Sequence, residues 1–373
     1  MKKIYTRSPI FVQSQIGTSL QLGIRIWEGS SSAVPASNTY TLDKAHNSNG
    51  NATLEVSELI SDYIEHSHSG DYESRPVYVR FYIVETGGST YNSDTFLALD
   101  GYTEGDVVQY YRQLFNTFDD EAILMSTLEL ATPEDTTTVV PLHGSASAVF
   151  FKDGVQKFVY TTTSPTTSTE EIEYATSAGQ SASTFYARVI LDGGTIIDEH
   201  CADEIMEYVT ELDVDTVYVV NEDGNAVVIK IHQLPCTKYE SSKLVFVNKF
   251  GALQDIHFSA KNSKSYSFKG ETFKSYNFDY DNLSNNYGEH STKSFNKNGM
   301  VKHTLNTDFL PDSYSETFRE LLSSESVWLE HKGSVVPVLV DTKSLEHKTH
   351  LNDGLIQFTI NVTESHNLVN NIR

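Results

Sequence analysis

"KLVFVNKFGALQDIHFSAKNSKSYSFKGE", residues 243–271, is the stretch whose reading decides the fold. Val245, Val247 and Phe250 are apolar, Phe250-Gly251 makes a corner, and Ile256 and Phe258 resume the alternation. Period-two apolarity on both sides of a glycine predicts two strands folded back on each other. No side chain in it suggests catalysis.

The same pattern recurs along the chain. Residues 20–27, LQLGIRIW, alternate with Leu20, Leu22, Ile24 and Ile26 on one face, and VYVRFYIV (77–84) forms another strong strand. Four further stretches pair alternating runs across a glycine-containing turn: 149–161, 187–199, 217–231 and 327–340. Asp-Gly and Gly-Gly favour such turns because glycine takes positive φ at little cost. The expected fold class is mainly β, with β-sandwich domains built from antiparallel hairpins and a few short α-helices. Helices are predicted over 57–66 (Leu59, Ile60, Tyr63 and Ile64 on one side, Ser57 as N-cap), 105–115, 203–212 and 313–324, the last with Phe318, Leu321 and Leu322 as its buried stripe.

Charge divides the chain. Its 373 residues carry a formal −23. Residues 1–235 hold 12 Lys+Arg against 34 Asp+Glu, a net −22, whereas 236–373 hold 15 against 16, a net −1. The expected partition is an acidic β-rich domain over 1–145, a middle hairpin domain over 146–235 containing a Ser/Thr-rich loop (161–183), and a C-terminal β-sandwich assembly domain over 236–373. An acidic surface repels phosphates and anionic lipid, so no direct nucleic-acid contact and no membrane contact are expected. Cys201 and Cys236 are the only cysteines, too few for a disulfide framework. No apolar run approaches the roughly 20 residues of a membrane-spanning helix, and the opening MKKIYTRSPIFVQ lacks a signal-peptide core. The chain reads as soluble and folded in a reducing cytoplasm.

Candidate chemistry is sparse. His66 and His68, and likewise His347 and His350, offer closely spaced imidazoles, yet neither pair has a clear third ligand, and solvated loop histidines are the simpler reading. Glu199-His200-Cys201 with Cys236 matches no zinc spacing, which favours buried thiols. Carboxylate pairs in FDDE (118–121), FDYD (278–281) and DEHCADE (198–204) are what 50 acidic residues give by chance. Asp279, Asp281 and Asn282 lack the twelve-residue calcium pattern. The short signatures of serine hydrolases, P-loops, zinc proteases and dinucleotide sites are not found in the sequence. Tyr110 and Tyr111, or Tyr276, Phe278 and Tyr280 at period two, suit either stacking on sugars or a partner, or a core-facing sheet surface, the latter favoured. No catalytic, cofactor-binding or metal residue is assigned, no cofactor is expected, and enzymatic activity is not.

"KLVFVNKFGALQDIHFS" (243–259), "LNTDFLPDSYSETFRELLSSESVWLEH" (305–331) and "PVLVDTKSLEHKTHLNDGLIQFTINV" (337–362), with "SPIFVQ" (8–13), "LGIRIWEG" (22–29) and "TFLALDGYTEG" (95–105), resemble virion structural proteins of tailed bacteriophages, particularly phages of Bacteroidetes hosts including crAss-like ones. The quoted blocks together span 95 of the 373 residues, scattered along the chain. The resemblance implies a tail, baseplate or neck component, similar in role to distal tail proteins, that forms a ring from copies of itself and other virion proteins. Its implied location is the virion, after assembly in the bacterial host cytoplasm. The alternative is a carbohydrate- or receptor-binding β-sandwich module on a phage tail or cell surface; a tail-attached hydrolase is the third class. The blocks do not discriminate tail, baseplate, neck and capsid decoration.

Overall fold

The computed structural model describes residues 2–15, 17–29, 32–69, 72–85, 90–105 and 109–111, the strand segments 129–133, 138–143, 146–152, 155–161, 184–189, 216–221 and 226–234, and then 239–276, 278–279, 281–285, 288–344 and 355–369. The protein is mainly β, with short helices, as the alternation predicts.

Near the N-terminus two sheets face each other. The larger runs Lys2–Tyr5, Phe96–Leu99, Val77–Glu85, Ser19–Trp27, Tyr40–Ala45 in spatial order; the smaller runs Gln109–Tyr111, Ile10–Ser14, Ala52–Glu55. Leu20, Leu22, Ile24 and Ile26 all point into the shared core, where they meet Val79, Phe81 and Ile83 from the neighbouring strand and Ile10 and Val12 from the facing sheet. Period two in the sequence has become one dry face.

Two middle hairpins form where a glycine-containing turn was expected: Ala146–Lys152 with Val155–Thr161, and Thr216–Asn221 with Ala226–Leu234. Glu129–Pro133 runs parallel to Ala226–Leu234. The expected 187–199 hairpin lies outside the described residues except for its first three positions. Thr184–Val189 pairs with Thr138–His143.

The C-terminal part is organised by one seven-stranded antiparallel sheet. Its order is Leu253–Phe258, Ser242–Val247, Val327–His331, Ser334–Val340, Thr359–Glu364, Thr292–Asn306, Ser263–Lys274. The hairpin read from residues 243–258 is present, with Gly251 at φ +78° in its corner. Ser242–Val247 is buried on both faces. Leu244 and Phe246 enter a core with Ile256 and Phe258, under the helix Ser315–Leu322, while Val245 and Val247 pack on the other side with Leu253 and Trp328. A continuous Leu-Val-Phe-Val run suits a strand covered twice. Phe318, fully buried, stacks on Phe358 at 4.1 Å between ring centroids. The Val327–His331 hairpin turns through Lys332 and Gly333, both at positive φ, which suits the right-handed strand twist.

Two helix expectations are corrected. Residues 57–66 form a helix only over Ser57–Ser61, with Val56 rather than Ser57 at the N-cap position and no side-chain cap, and the chain then extends into the strand Glu65–His68. Residues 109–111 form a strand beside Ile10–Val12, not a helix. In both places tertiary docking outweighs a short amphipathic pattern, as expected where only a few turns of helix are at stake. The 313–324 helix is present as Ser315–Leu322, preceded by a 3-10 turn Asp312–Tyr314. The 203–212 helix and the 161–183 loop lie outside the described residues, apart from Thr161 at a strand end.

Candidate functional site: a polar seam and a projecting arm

The corner of the 243–258 hairpin is where the N-terminal and C-terminal sheets join. Asn248 shapes it: its Oδ1 accepts from the Phe250 and Ala252 amides at 3.0 and 3.1 Å, and its Nδ2 donates to Gln254 Oε1 at 3.0 Å. Ala252 is buried and Phe250 packs beside it, against Trp27, Tyr78, Leu97 and Leu99 on the outer face of the N-terminal sheet. Two glycines permit the approach. A Cβ on Gly251 would stand 2.6 Å from the Asp100 amide nitrogen, and one on Gly101 would stand 2.5 Å from the Lys249 carbonyl oxygen. Backbone meets backbone here, so neither site tolerates a side chain without displacement.

Polar groups fasten the same seam. Arg7 donates from Nε to the Asp100 carbonyl at 2.9 Å, from Nη2 to the Asn248 carbonyl at 2.6 Å, and from Nη1 to the Ser323 carbonyl at 3.1 Å. One guanidinium therefore ties three chain segments, which its rigid fork of donors allows. The Tyr102 amide donates to the Lys249 carbonyl at 2.9 Å. Glu320, on the helix, is fully buried and accepts from the Lys249 amide at 3.3 Å, with Lys249 Nζ 3.5 Å away. Burial raises its carboxyl above the usual range, and Lys249 opposes that rise in part.

His66 and His68 belong to the seam and are not solvated loop residues. Their strand packs across the C-terminal sheet, and both side chains are nearly inaccessible. His66 Nε2 lies 3.3 Å from Asp100 Oδ2. His68 Nε2 donates to Glu330 Oε2 at 3.1 Å, a carboxylate oxygen that also takes Lys243 Nζ at 2.9 Å. The His68 hydrogen bond first, and the Lys243 charge after it, pull the Glu330 carboxyl down to about 2. Sequence showed only that the two imidazoles are closely spaced; it could not show that each faces a different carboxylate on a different element.

The second feature is an arm. Ser263–Lys274 and Thr292–Asn306 pair antiparallel over most of their length. Only residues 302–306 of the second strand also pair with Thr359–Glu364, so outward of the contacts of Leu368 and Val369 with Gly299 and Asn298 the ribbon has two strands among the described residues. Nine residues of extended chain from Tyr266 to Lys274 reach about 30 Å. The arm is studded with exposed aromatics: Tyr266, Phe268 (68% exposed), Phe273 against Phe295, and Tyr276 (74%) against Phe278. The expectation that Tyr276 and its period-two neighbours face the core is therefore corrected for Tyr276, which sits beyond the sheet where no second layer among the described residues covers it. Tyr280 is outside the described residues. Among the described residues, seven of the fourteen exposed large apolar side chains lie within 263–306, so the exposure is concentrated rather than scattered.

The remaining candidates contribute little geometry. Cys201, Cys236, His347, His350, FDDE and DEHCADE lie outside the described residues, and of Tyr110 and Tyr111 only the strand is described. Asp279 stands in a two-residue strand facing Ser284. Among the described residues no group of three or more His, Cys, Asp or Glu is placed to hold a metal, and no helix is long and apolar enough to cross a membrane.

No family model matches the chain. No curated protein matches it either. A solved structure of Drosophila OTK, extracellular domains 3-5, aligns over 80% of this chain and 87% of that chain at 10% identity and a TM-score of 0.18, which is too low to carry an argument.

Proposed function

We propose that the chain is a structural protein of a tailed-bacteriophage virion, a tail, baseplate or neck component that assembles into a ring with copies of itself. The observation that supports this best is the arm: a long two-stranded ribbon carrying exposed aromatic side chains on an otherwise well-covered sheet. An isolated hairpin is marginal in water and gains stability when another surface covers it. The seam adds a second support, because Arg7, Gly101 and Gly251 fasten the arm-bearing sheet to the N-terminal sheet, so a contact made by the arm positions a large body. A contact between two different surfaces of identical copies, repeated by a rotation that closes, makes a ring.

Negative-stain microscopy of the purified full chain and mass spectrometry of purified phage particles test this. Discrete rings and chain-derived peptides in the particles are expected. A chain that stays monomeric at every concentration and is missing from the particles overturns the reading. Tyr276, with its ring exposed beside Phe278, favours the second reading of a glycan- or receptor-binding module. Glycan-array binding by monomer, lost in Tyr276→Ala, would support that one instead.

A further inference from the structure

Ser263–Lys274 forms the outer border of the C-terminal sheet. It pairs with Thr292–Asn306 on one side and has no strand on the other among the described residues. All but one of its 12 positions are exposed. Backbone groups alternate in direction along an antiparallel strand, so about half of these amides and carbonyls face outward, where they form a template for a further strand.

The side chains of this border follow a self-complementary order. Lysines stand at 264, 269 and 274, one carboxylate at Glu271, and aromatic rings at 266, 268, 273 and 276. Lys269 faces Asn298 and Glu271 faces Phe295, so the extra residue of the irregularity belongs to the neighbouring strand, and Ser263–Lys274 keeps an unbroken alternation of faces. An antiparallel copy related by a twofold axis normal to the sheet then sets residues of the same face opposite each other. With the axis at Gly270, Lys269 opposes Glu271 of the other copy, and Glu271 opposes its Lys269. Lys274 opposes Tyr266, and Lys264 opposes Tyr276, just past the strand end. Each lysine thus meets a carboxylate or an aromatic ring, twice over. An axis at Lys269 would set that lysine against itself and Lys264 against Lys274; an axis at Glu271 would oppose the two carboxylates. Lys264 already lies 3.5 Å from Glu364 and near the Tyr266 ring, so the central pairs carry the selectivity. Asn296 Nδ2 donates to Glu271 Oε1 at 3.4 Å, which leaves Oε2 for a lysine.

We infer that Ser263–Lys274 pairs antiparallel with the same strand of a second copy, about a twofold axis at Gly270, so that two seven-stranded sheets become one. Three lysines to one carboxylate deter pairing in most registers, and this register relieves the repulsion at its centre, which makes the contact selective. The antiparallel sense leaves the bases of the two arms about 40 Å apart, well beyond the screening length of about 10 Å at 0.1 M salt, so the −23 on each copy opposes the contact little. The contact is isologous and goes beyond the ring reading: it joins copies in pairs, and together with a ring contact elsewhere on the chain it joins two rings face to face.

Sedimentation velocity on the full chain tests this with the wild type, Lys269→Glu, Glu271→Lys, the double variant, and an equal mixture of the two single variants. Each single change opposes like charges at both central positions and should weaken self-association about tenfold or more, with thermal unfolding unchanged. The double change restores both pairs with their signs exchanged and should bring association back to within about threefold of the wild type. In the mixture one chain offers two carboxylates and the other two ammonium groups, so variants that each fail to self-associate should associate with each other. Hydrogen exchange of the wild type should show amides of 264–274 gaining protection as concentration rises. Single variants that associate as strongly as the wild type, a mixture that associates no better than its components, protection confined to other segments, or a wild type that is monomeric up to its solubility limit each overturn the inference. Rings that survive both single changes leave the assembly reading standing without it. Pairs that obey the charge exchange but never form rings overturn the ring and leave this inference standing.

Discussion

Leu253–Phe258 and Ser263–Lys274 are neighbours in the chain, separated only by residues 259–262, yet they form opposite edges of one sheet. The first is buried at every position; the second is exposed at all but one. Each edge strand has one sheet neighbour among the described residues, so the difference lies in what covers it. The first is enclosed by the protein's own elements, with Ile256 and Phe258 in the helix-side core, Leu253 on the other face, and the corner beside it seated on the N-terminal sheet. The second carries lysines and aromatics into solvent. A single sheet thus uses one border for internal attachment and leaves the other in solvent; the first buries Gln254, Asp255 and His257 along with its apolar residues, while the second alternates lysine, serine and aromatic side chains.

Breaking the covered border should have the largest effect. Gly251→Ala places a Cβ against the Asp100 backbone at a positive φ, and a loss of about 3 kcal/mol in denaturant unfolding is expected, with both sheets affected together. An effect under about 0.5 kcal/mol would mean that the two backbones do not approach as closely as described.

Acid should act next, through Glu330. Its carboxyl is depressed to about 2 in the folded protein against an ordinary value near 4.5. A depressed carboxylate contributes stability that is fully present above about 4.5 and is lost as pH falls toward about 2. Given its partial exposure, the loss is about 2–3 kcal/mol over that window. Stability measured against pH should show this acid limb, and Glu330→Gln, which has no titrating group there, should flatten it.

Arg7→Ala removes three hydrogen bonds to carbonyls and leaves the Asn248 and Ser323 acceptors without this donor. About 2 kcal/mol is expected. Because two of the three lost bonds, those to Asn248 and Ser323, cross the seam, hydrogen exchange should rise first at residues 248–252, before the sheet cores respond. At the free border the effect on stability should be smallest: Phe268→Ser removes a side chain that is mostly in water already, and a change within about 0.5 kcal/mol is expected. A larger loss would show that the arm is folded against the body, and the contrast between the two edges would disappear.

Much of this architecture was legible in the residues. Leu20, Leu22, Ile24 and Ile26 announce one buried face, and the Lys332-Gly333 and Phe250-Gly251 turns announce hairpins, because both signals depend on neighbours within a few positions. Phe318 and Leu321 likewise mark a helix stripe that is buried. The short helix at 57–61 was overestimated for the opposite reason: residues 65–68 are drawn into a strand against a distant sheet, and local periodicity carries no information about that.

The sequence by itself therefore determined the strand-rich class, the principal turns and the contrast between an acidic two-thirds and a neutral remainder, all of which arise from side-chain polarity and local backbone preference. Only the tertiary structure decided that Gly101 would meet Gly251, that Arg7 would reach Asn248 across 241 positions, and that His66 and His68 would leave solvent for Asp100 and Glu330. Those are encounters between remote segments, set by how whole sheets pack, and no window of adjacent residues encodes them. The same holds for the arm, whose aromatics look like core until the sheet ends beneath them.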